Sequence, residues 1–101
     1  MRNADSEEVE DDFLFHCPTV RILVSYSRFL YRNGFSPADF LLRHMAGDFG
    51  VCGEAMSNSN YQALASMTGT VTSVYEISGS RLQILTDLET GETDIDLSHM
   101  S

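Results

Sequence analysis

The hydrophobic period of the sequence changes at residue 70, and this change restricts the fold more than any other feature. Beyond it, apolar and polar residues alternate in three segments, 70–78, 81–89 and 93–97. Alternation with period two is typical of strands that bury one face. Two short stretches connect these segments, SGS at 78–80 and TGET at 90–93. Connections of this length join neighbouring antiparallel strands as hairpins. The pattern therefore predicts a three-stranded antiparallel β-meander with these inward positions: Val71, Ser73, Tyr75, Ile77, Leu82, Ile84, Thr86, Ile95 and Leu97.

An open meander needs a second layer to bury its apolar face, and the preceding residues predict short helices for that layer. The strongest helix signal lies at 37–46. Ser36 and Asp39 form a capping box there, and Pro37 occupies the first turn. Gly47 then ends the helix in a left-handed turn.

A second helix is predicted over 19–33, with Thr19 as its N-cap and Gly34 as its stop. Its apolar stripe recurs at intervals of three and four residues, at Val20, Leu23, Val24, Ser27, Leu30 and Tyr31. The β-branched residues in its first half leave a strand there as the alternative.

A third helix is predicted over 58–66, capped by one of residues 57–59. Its buried side would carry Tyr61, Leu64 and Ala65. The predicted fold class is thus α+β, with two to three short helices packed on a three-stranded antiparallel β-meander.

Charge divides the chain into two parts. It has 15 acidic and 6 basic residues, all of the latter arginine, and a formal net charge of -9. Residues 1–12 hold six of the carboxylates and almost no apolar side chain. Such a segment buries too little surface to offset its ordering entropy, so we predict a disordered acidic tail at 1–12 and a single α+β domain at 13–101.

No apolar run is long enough to cross a membrane, and the acidic N-terminus lacks the apolar core of a secretory signal. A cytoplasmic location and no membrane partner are therefore expected. Direct nucleic-acid binding is disfavoured as well, because the net charge repels phosphates at long range. A basic protein surface is the expected partner, and the alternative is that the acidic charge only keeps the domain soluble.

The candidate partner-binding residues are five carboxylates near the C-terminus, which we call the acidic strip: Asp87, Glu89, Glu92, Asp94 and Asp96. On a strand, Glu92, Asp94 and Asp96 point to one side with about 6 to 7 Å between neighbours. That spacing resembles successive phosphates of a nucleic acid, which a basic groove could accept. The alternative is a solvated face on an edge strand that is protected from aggregation by its charge.

Catalytic and metal-binding patterns are weak. Asp48-Phe49-Gly50 matches a kinase tripeptide, but the other kinase elements are missing and the chain has no lysine. His44 with Cys52 would make a base and a thiol nucleophile, yet His44 lies on an inward helical stripe and is expected to be a core residue. Cys17 and Cys52 are expected to be small buried residues, and no zinc-type spacing is present. No catalytic residue, metal or cofactor is predicted.

Residues 35–97 also carry an ordered set of motifs: FSPADFLLRHMAGDFG, SNSNYQALASMTGTVTSVYEI and SGSRLQILTDLETGETDIDL. This order resembles a family of small proteins from plasmids, prophages and integrated elements, often labelled "plasmid-related protein" or "type I restriction endonuclease subunit M". The matching residues are Pro37, Leu41, Leu42, Arg43, His44, Gly47, Asp48, Phe49, Gly50, Asn60, Ala63, Leu64, Ser73, Val74, Tyr75, Leu85, Thr86 and Asp87. The chain departs from the family in having Phe49 in place of tryptophan and in lacking a Leu-Pro-Glu-Glu-Tyr ending.

The resemblance implies a setting of mobile genetic elements, where small acidic proteins often inhibit host defence, as anti-CRISPR and anti-restriction proteins do. The resulting hypothesis is a non-enzymatic inhibitor that occupies a basic surface of a host nucleic-acid-targeting defence complex, such as a CRISPR effector or a restriction enzyme. The alternative is a structural or regulatory protein of the element itself, acting as a homodimer that pairs edge strands.

Overall fold

The computed structural model describes residues 13–99, so the tail predicted at 1–12 lies outside the described residues. Along the chain the elements are β1 (Thr19–Ile22), α1 (Val24–Arg32), α2 (Pro37–Met45), α3 (Glu54–Ser66), β2 (Thr70–Ile77), β3 (Ser80–Asp87) and β4 (Glu92–His99). The strands form one sheet in the order β1-β4-β3-β2. All three helices supply residues to core clusters on one face of it. The predicted α+β class is confirmed.

The predicted three-stranded meander is only part of the sheet. β2, β3 and β4 are antiparallel neighbours in the predicted order. β1 adds a fourth strand that runs parallel to β4, so the sheet is four-stranded and mixed. The predicted inward positions are all buried except Leu97, which is half-buried.

The helix predicted over 19–33 is wrong in its first half, where the strand alternative is confirmed. Thr19–Ile22 pairs with β4, and this places Val20 and Ile22 against the main core cluster. Leu23 is extended and serves as the N-cap in place of Thr19. The end of the helix is as predicted, because Asn33 forms the C-cap and Gly34 follows with a φ of 84°.

α2 has nearly the predicted bounds. The backbone N–H of Ser36 donates to the Asp39 carboxylate at 2.8 Å, as a capping box requires. The rings of Phe35 and Phe40 pack with their centroids 5.1 Å apart across the start of the helix. The core cluster around Phe40 joins α1 and α2 to the sheet, with Leu30, Tyr75, Ile77, Leu82, Ile84 and Ile95 as its other buried members.

α3 differs from the prediction at its start and on its buried side. It begins at Glu54, with Gly53 as N-cap at a φ of 86°, rather than at residue 58. Tyr61 and Ala65 are exposed and Leu64 is half-buried, whereas Asn60 is fully buried. The helix packs beside β2, and its polar Asn60 faces the strand edge.

Side-chain and loop contacts cover the outer edge of β2. The Asn60 amide accepts from the N–H of Thr72 at 2.9 Å and donates to its carbonyl at 2.7 Å. The loop at Gly50 also bonds to both backbone groups of one β2 residue. The Val74 N–H donates to the Phe49 carbonyl, and the Val51 N–H donates to the Val74 carbonyl. A second copy could not pair with β2 at these positions without displacing both contacts.

Candidate protein-binding surface

The outer face of the sheet is the side opposite the helices, and it carries most of the acidic strip. Glu92, Asp94 and Asp96 alternate with the buried positions of β4 and are all exposed. The outward residues of the sheet belong to neither core cluster. The charged ones are exposed, whereas Val74 is buried and Leu85 is half-buried. The other charged members of this face are Arg21, Glu76, Arg81 and Asp87, and carboxylates outnumber arginines on it.

β4 is not an edge strand where its carboxylates begin, which corrects the edge-strand alternative. β1 pairs with it from Glu92 to Ile95 and places Arg21 directly opposite Asp94. The guanidinium donates to both oxygens of Asp94, at 2.7 and 3.1 Å, and lies 3.3 Å from Glu92. The hydrogen bond and charge of Arg21 lower the pKa of Asp94, so this carboxylate stays ionised.

Asp96 has a weaker partner. The hydroxyl of Tyr26, from the first turn of α1, donates to Asp96 at 3.4 Å, which is long for such a bond. The described residues form no ion pair with Asp96. It is therefore the carboxylate of β4 with the greatest remaining capacity to bind a cation.

The remaining strip residues lie at the β3–β4 turn, next to Glu92. Asp87 accepts the backbone N–H groups of Glu89 and Thr90 at 2.9 and 3.3 Å, so it shapes the turn. Glu89 is exposed. The structure thus brings Glu92, Asp94 and Asp96 together on one strand and places Asp87 and Glu89 at one end of that row.

Sequence reasoning did not identify Arg21 and Tyr26 as part of this surface. Arg21 lies 73 residues from its partner Asp94, and Tyr26 lies 70 residues from Asp96. The sequence predicts a helix over the residues of β1, with a strand only as the alternative, so no local pattern connects either residue to β4. The recognisable signal was the β-branched run before Leu23, which indicates a strand in need of a partner.

His44 is a core residue, as predicted, and does not meet Cys52. Its ring is fully buried, with Nδ1 2.6 Å from Ser73 Oγ and Nε2 2.9 Å from Thr86 Oγ1. Burial lowers the pKa of His44 to about 4. The thiol of Cys52 instead bonds to the carbonyl of Gly53. A histidine without solvent access, bonded to hydroxyls at both nitrogens, is suited to a structural role rather than to proton transfer with an external substrate.

The segment around Asp48 is a structural turn. Its carboxylate accepts from Gly50 N–H at 3.2 Å and pairs with Arg43 at 2.7 Å. The hydrogen bond from Arg43 lowers the pKa of Asp48. Phe49 is buried in the second core cluster beside Val71. The kinase-like tripeptide is therefore a loop anchor.

The described residues also lack a metal-binding cluster and a membrane-spanning helix. Residues 13–99 contain no group of three or more His, Cys, Asp or Glu that could hold a metal ion. Within the same range, no helix is both long enough and apolar enough to cross a membrane. Comparison with family models, curated proteins and solved structures finds no match.

Proposed function

We propose that the protein is a non-enzymatic inhibitor that binds a basic surface of a host nucleic-acid-targeting defence complex, of the CRISPR or restriction type. The observation that carries the proposal is the accessible outer face with its row of carboxylates on β4. A rigid sheet holds these groups at a fixed spacing, which favours binding to arginines and lysines that otherwise contact phosphates. The mobile-element setting comes from the family resemblance of residues 35–97.

Charge variants at one exposed position test this proposal. In cells protected by a CRISPR or restriction system, expression of the protein is expected to restore phage plating. Asp96→Lys should reduce the restored plating by at least about tenfold, because it turns an attraction into a repulsion. Glu54→Lys makes the same charge change on α3, away from the outer face, and should leave plating restored.

Equal effects of the two variants would contradict a role for the outer face. Failure of the unaltered protein to restore plating across a panel of both defence types would overturn the proposed function itself. A stable dimer by size-exclusion chromatography with light scattering, together with no effect on defence, would favour the homodimeric alternative.

Removing Arg21 gives a second, less obvious prediction. Arg21→Gln releases Asp94 and Glu92 from their internal cation, so affinity for a basic ligand should rise. Calorimetric titration with a hexa-arginine peptide should show tighter binding for this variant than for Arg28→Gln, which changes the net charge equally from α1. The melting temperature should hardly change, since exposed ion pairs add little stability. Equal affinities of the two variants would show that only net charge matters.

A further inference from the structure

A groove opens at the point where β1 ends and α1 begins. It has a volume of about 370 Å³ and is lined by Arg21, Ile22, Leu23, Tyr26, Asp94, Ile95 and Asp96. We call it the Asp96 groove. Its walls combine aliphatic and aromatic surface with carboxylates, and Leu23 remains 59% exposed beside it. An exposed leucine next to the weakly paired carboxylate of Asp96 is suited to a ligand that is both apolar and cationic.

The groove exists because β1 is shorter than β4. β1 stops at Ile22, opposite Ile95, and the chain then turns into α1. β4 continues for four more residues, 96–99, without a partner on the β1 side among the described residues. Tyr26 reaches across this side from α1 to Asp96.

The two carboxylates of the groove differ in how strongly other side chains bind them. Asp94 is held by Arg21 in a two-point contact at 2.7 and 3.1 Å. Asp96, two residues along the same strand, has only the 3.4 Å contact from Tyr26. The groove therefore already contains one guanidinium–carboxylate pair and presents a second carboxylate about 6 to 7 Å away.

We propose that the Asp96 groove binds an arginine side chain of the basic partner. The planar guanidinium would contact Asp96, and its aliphatic stem would lie on Leu23, Ile22 and the Tyr26 ring. Arginine fits better than lysine because its fork matches a carboxylate, its weak hydration suits an apolar wall, and it stacks on aromatic rings. The biological identity of the partner rests on the proposed function, whereas the chemistry of the groove does not.

Titration of the ¹⁵N-labelled protein with N-acetyl-arginine amide tests the groove directly. Saturable shifts of the Leu23, Tyr26 and Asp96 amide resonances are expected. N-acetyl-lysine amide should bind at least about fivefold more weakly, and the neutral norleucine analogue should produce no saturable shift. Asp96→Asn should weaken arginine binding about tenfold, while Glu54→Gln should leave it unchanged.

Variants at Tyr26 separate its ring from its hydroxyl. Tyr26→Phe keeps the stacking surface and frees Asp96, so arginine binding should be retained or tighter. Tyr26→Ala should weaken it. Equal binding of arginine and lysine probes, or shifts spread evenly over all exposed carboxylates, would overturn the inference.

The outcomes also separate the groove from the proposed function. Arginine binding at Asp96 without any effect on phage plating would support the arginine-binding groove and contradict the inhibitor role. If the protein binds no arginine probe and Asp96→Asn still inhibits defence, the inhibitor role would be supported and the arginine-binding groove would be contradicted.

Discussion

Lowering the pH from 7 to 4 is expected to reduce the free energy of unfolding by about 3 kcal/mol through His44 alone. Burial lowers the pKa of His44 to about 4, from 6.5 in an unperturbed histidine. The unfolded chain therefore binds the proton more readily in the interval between these values. The contribution of His44 to the free energy of unfolding is complete above pH 6.5 and is lost as the pH falls towards 4.

The cause is a buried polar network in which a neutral imidazole is the central member. His44 contacts Ser73 and Thr86, and Thr86 Oγ1 in turn lies 2.7 Å from Thr93 Oγ1. Phe15 packs edge-on against the ring at 5.0 Å. These partners satisfy a neutral histidine but carry no negative charge to compensate an imidazolium.

Urea unfolding at a series of pH values between about 7 and 4 measures the effect. His44→Gln should be less stable at pH 7 and should lose the part of the slope that His44 causes. The smaller loss near pH 4 that comes from the lowered pKa values of Asp48 and Asp94 should remain. NMR titration of the His44 ring in the folded protein gives an independent check. A ring that titrates near 6.5 without loss of structure would contradict the prediction.

The C-terminal half of the fold could be predicted from sequence because its contacts are local. Each hairpin of the meander joins strands through a turn of two to four residues, so alternation and turn chemistry together fix the pairing. Alternation also placed Ser73 and Thr86 on the inward face, where the structure shows them in contact with His44. Their partner, His44, was correctly placed in the core.

β1 could not be assigned because its stability comes from a strand some 70 residues away. Its four residues pair with Glu92–Ile95, and this pairing places the partly buried Val20 and Ile22 against the main core cluster. Val20 also fits the predicted helical stripe with Leu30, although Leu23, Val24 and Tyr31 of that stripe are exposed in the structure. The local spacing of apolar residues is therefore compatible with either a helix or a strand, and pairing with β4 determines that the segment is a strand.

The carboxylates of the candidate surface were predicted from the sequence, but the arginine and tyrosine that contact them were not. The carboxylates of β4 do face outward together, as alternation required. Arg21 neutralises part of the row, and this followed from the unpredicted β1. The effective acidic surface therefore centres on Asp96 rather than on all five strip residues equally.

Replacing Gly50 by alanine is expected to destabilise the protein by about 4 kcal/mol, close to the total stability of many small domains. Gly50 has a φ of 73° and lies against the edge of β2. A Cβ there would overlap the carbonyl oxygen of Val74 and lie 2.7 Å from Cδ1 of Tyr75. Backbone atoms cannot rotate away as a flexible side chain can. The loop would have to retreat, and both of its bonds to Val74 would be lost.

Gly34→Ala provides the matched control. Gly34 has a similar φ of 84°, but an added Cβ would meet nothing within 4 Å. This variant should therefore cost only the backbone strain, about 1 kcal/mol. Urea unfolding of the two variants measures the difference, and equal losses would show that the contact at Val74 is dispensable. A clearly larger loss for Gly50→Ala than for Gly34→Ala would establish that the 49–51 loop stabilises the sheet by covering the edge of β2.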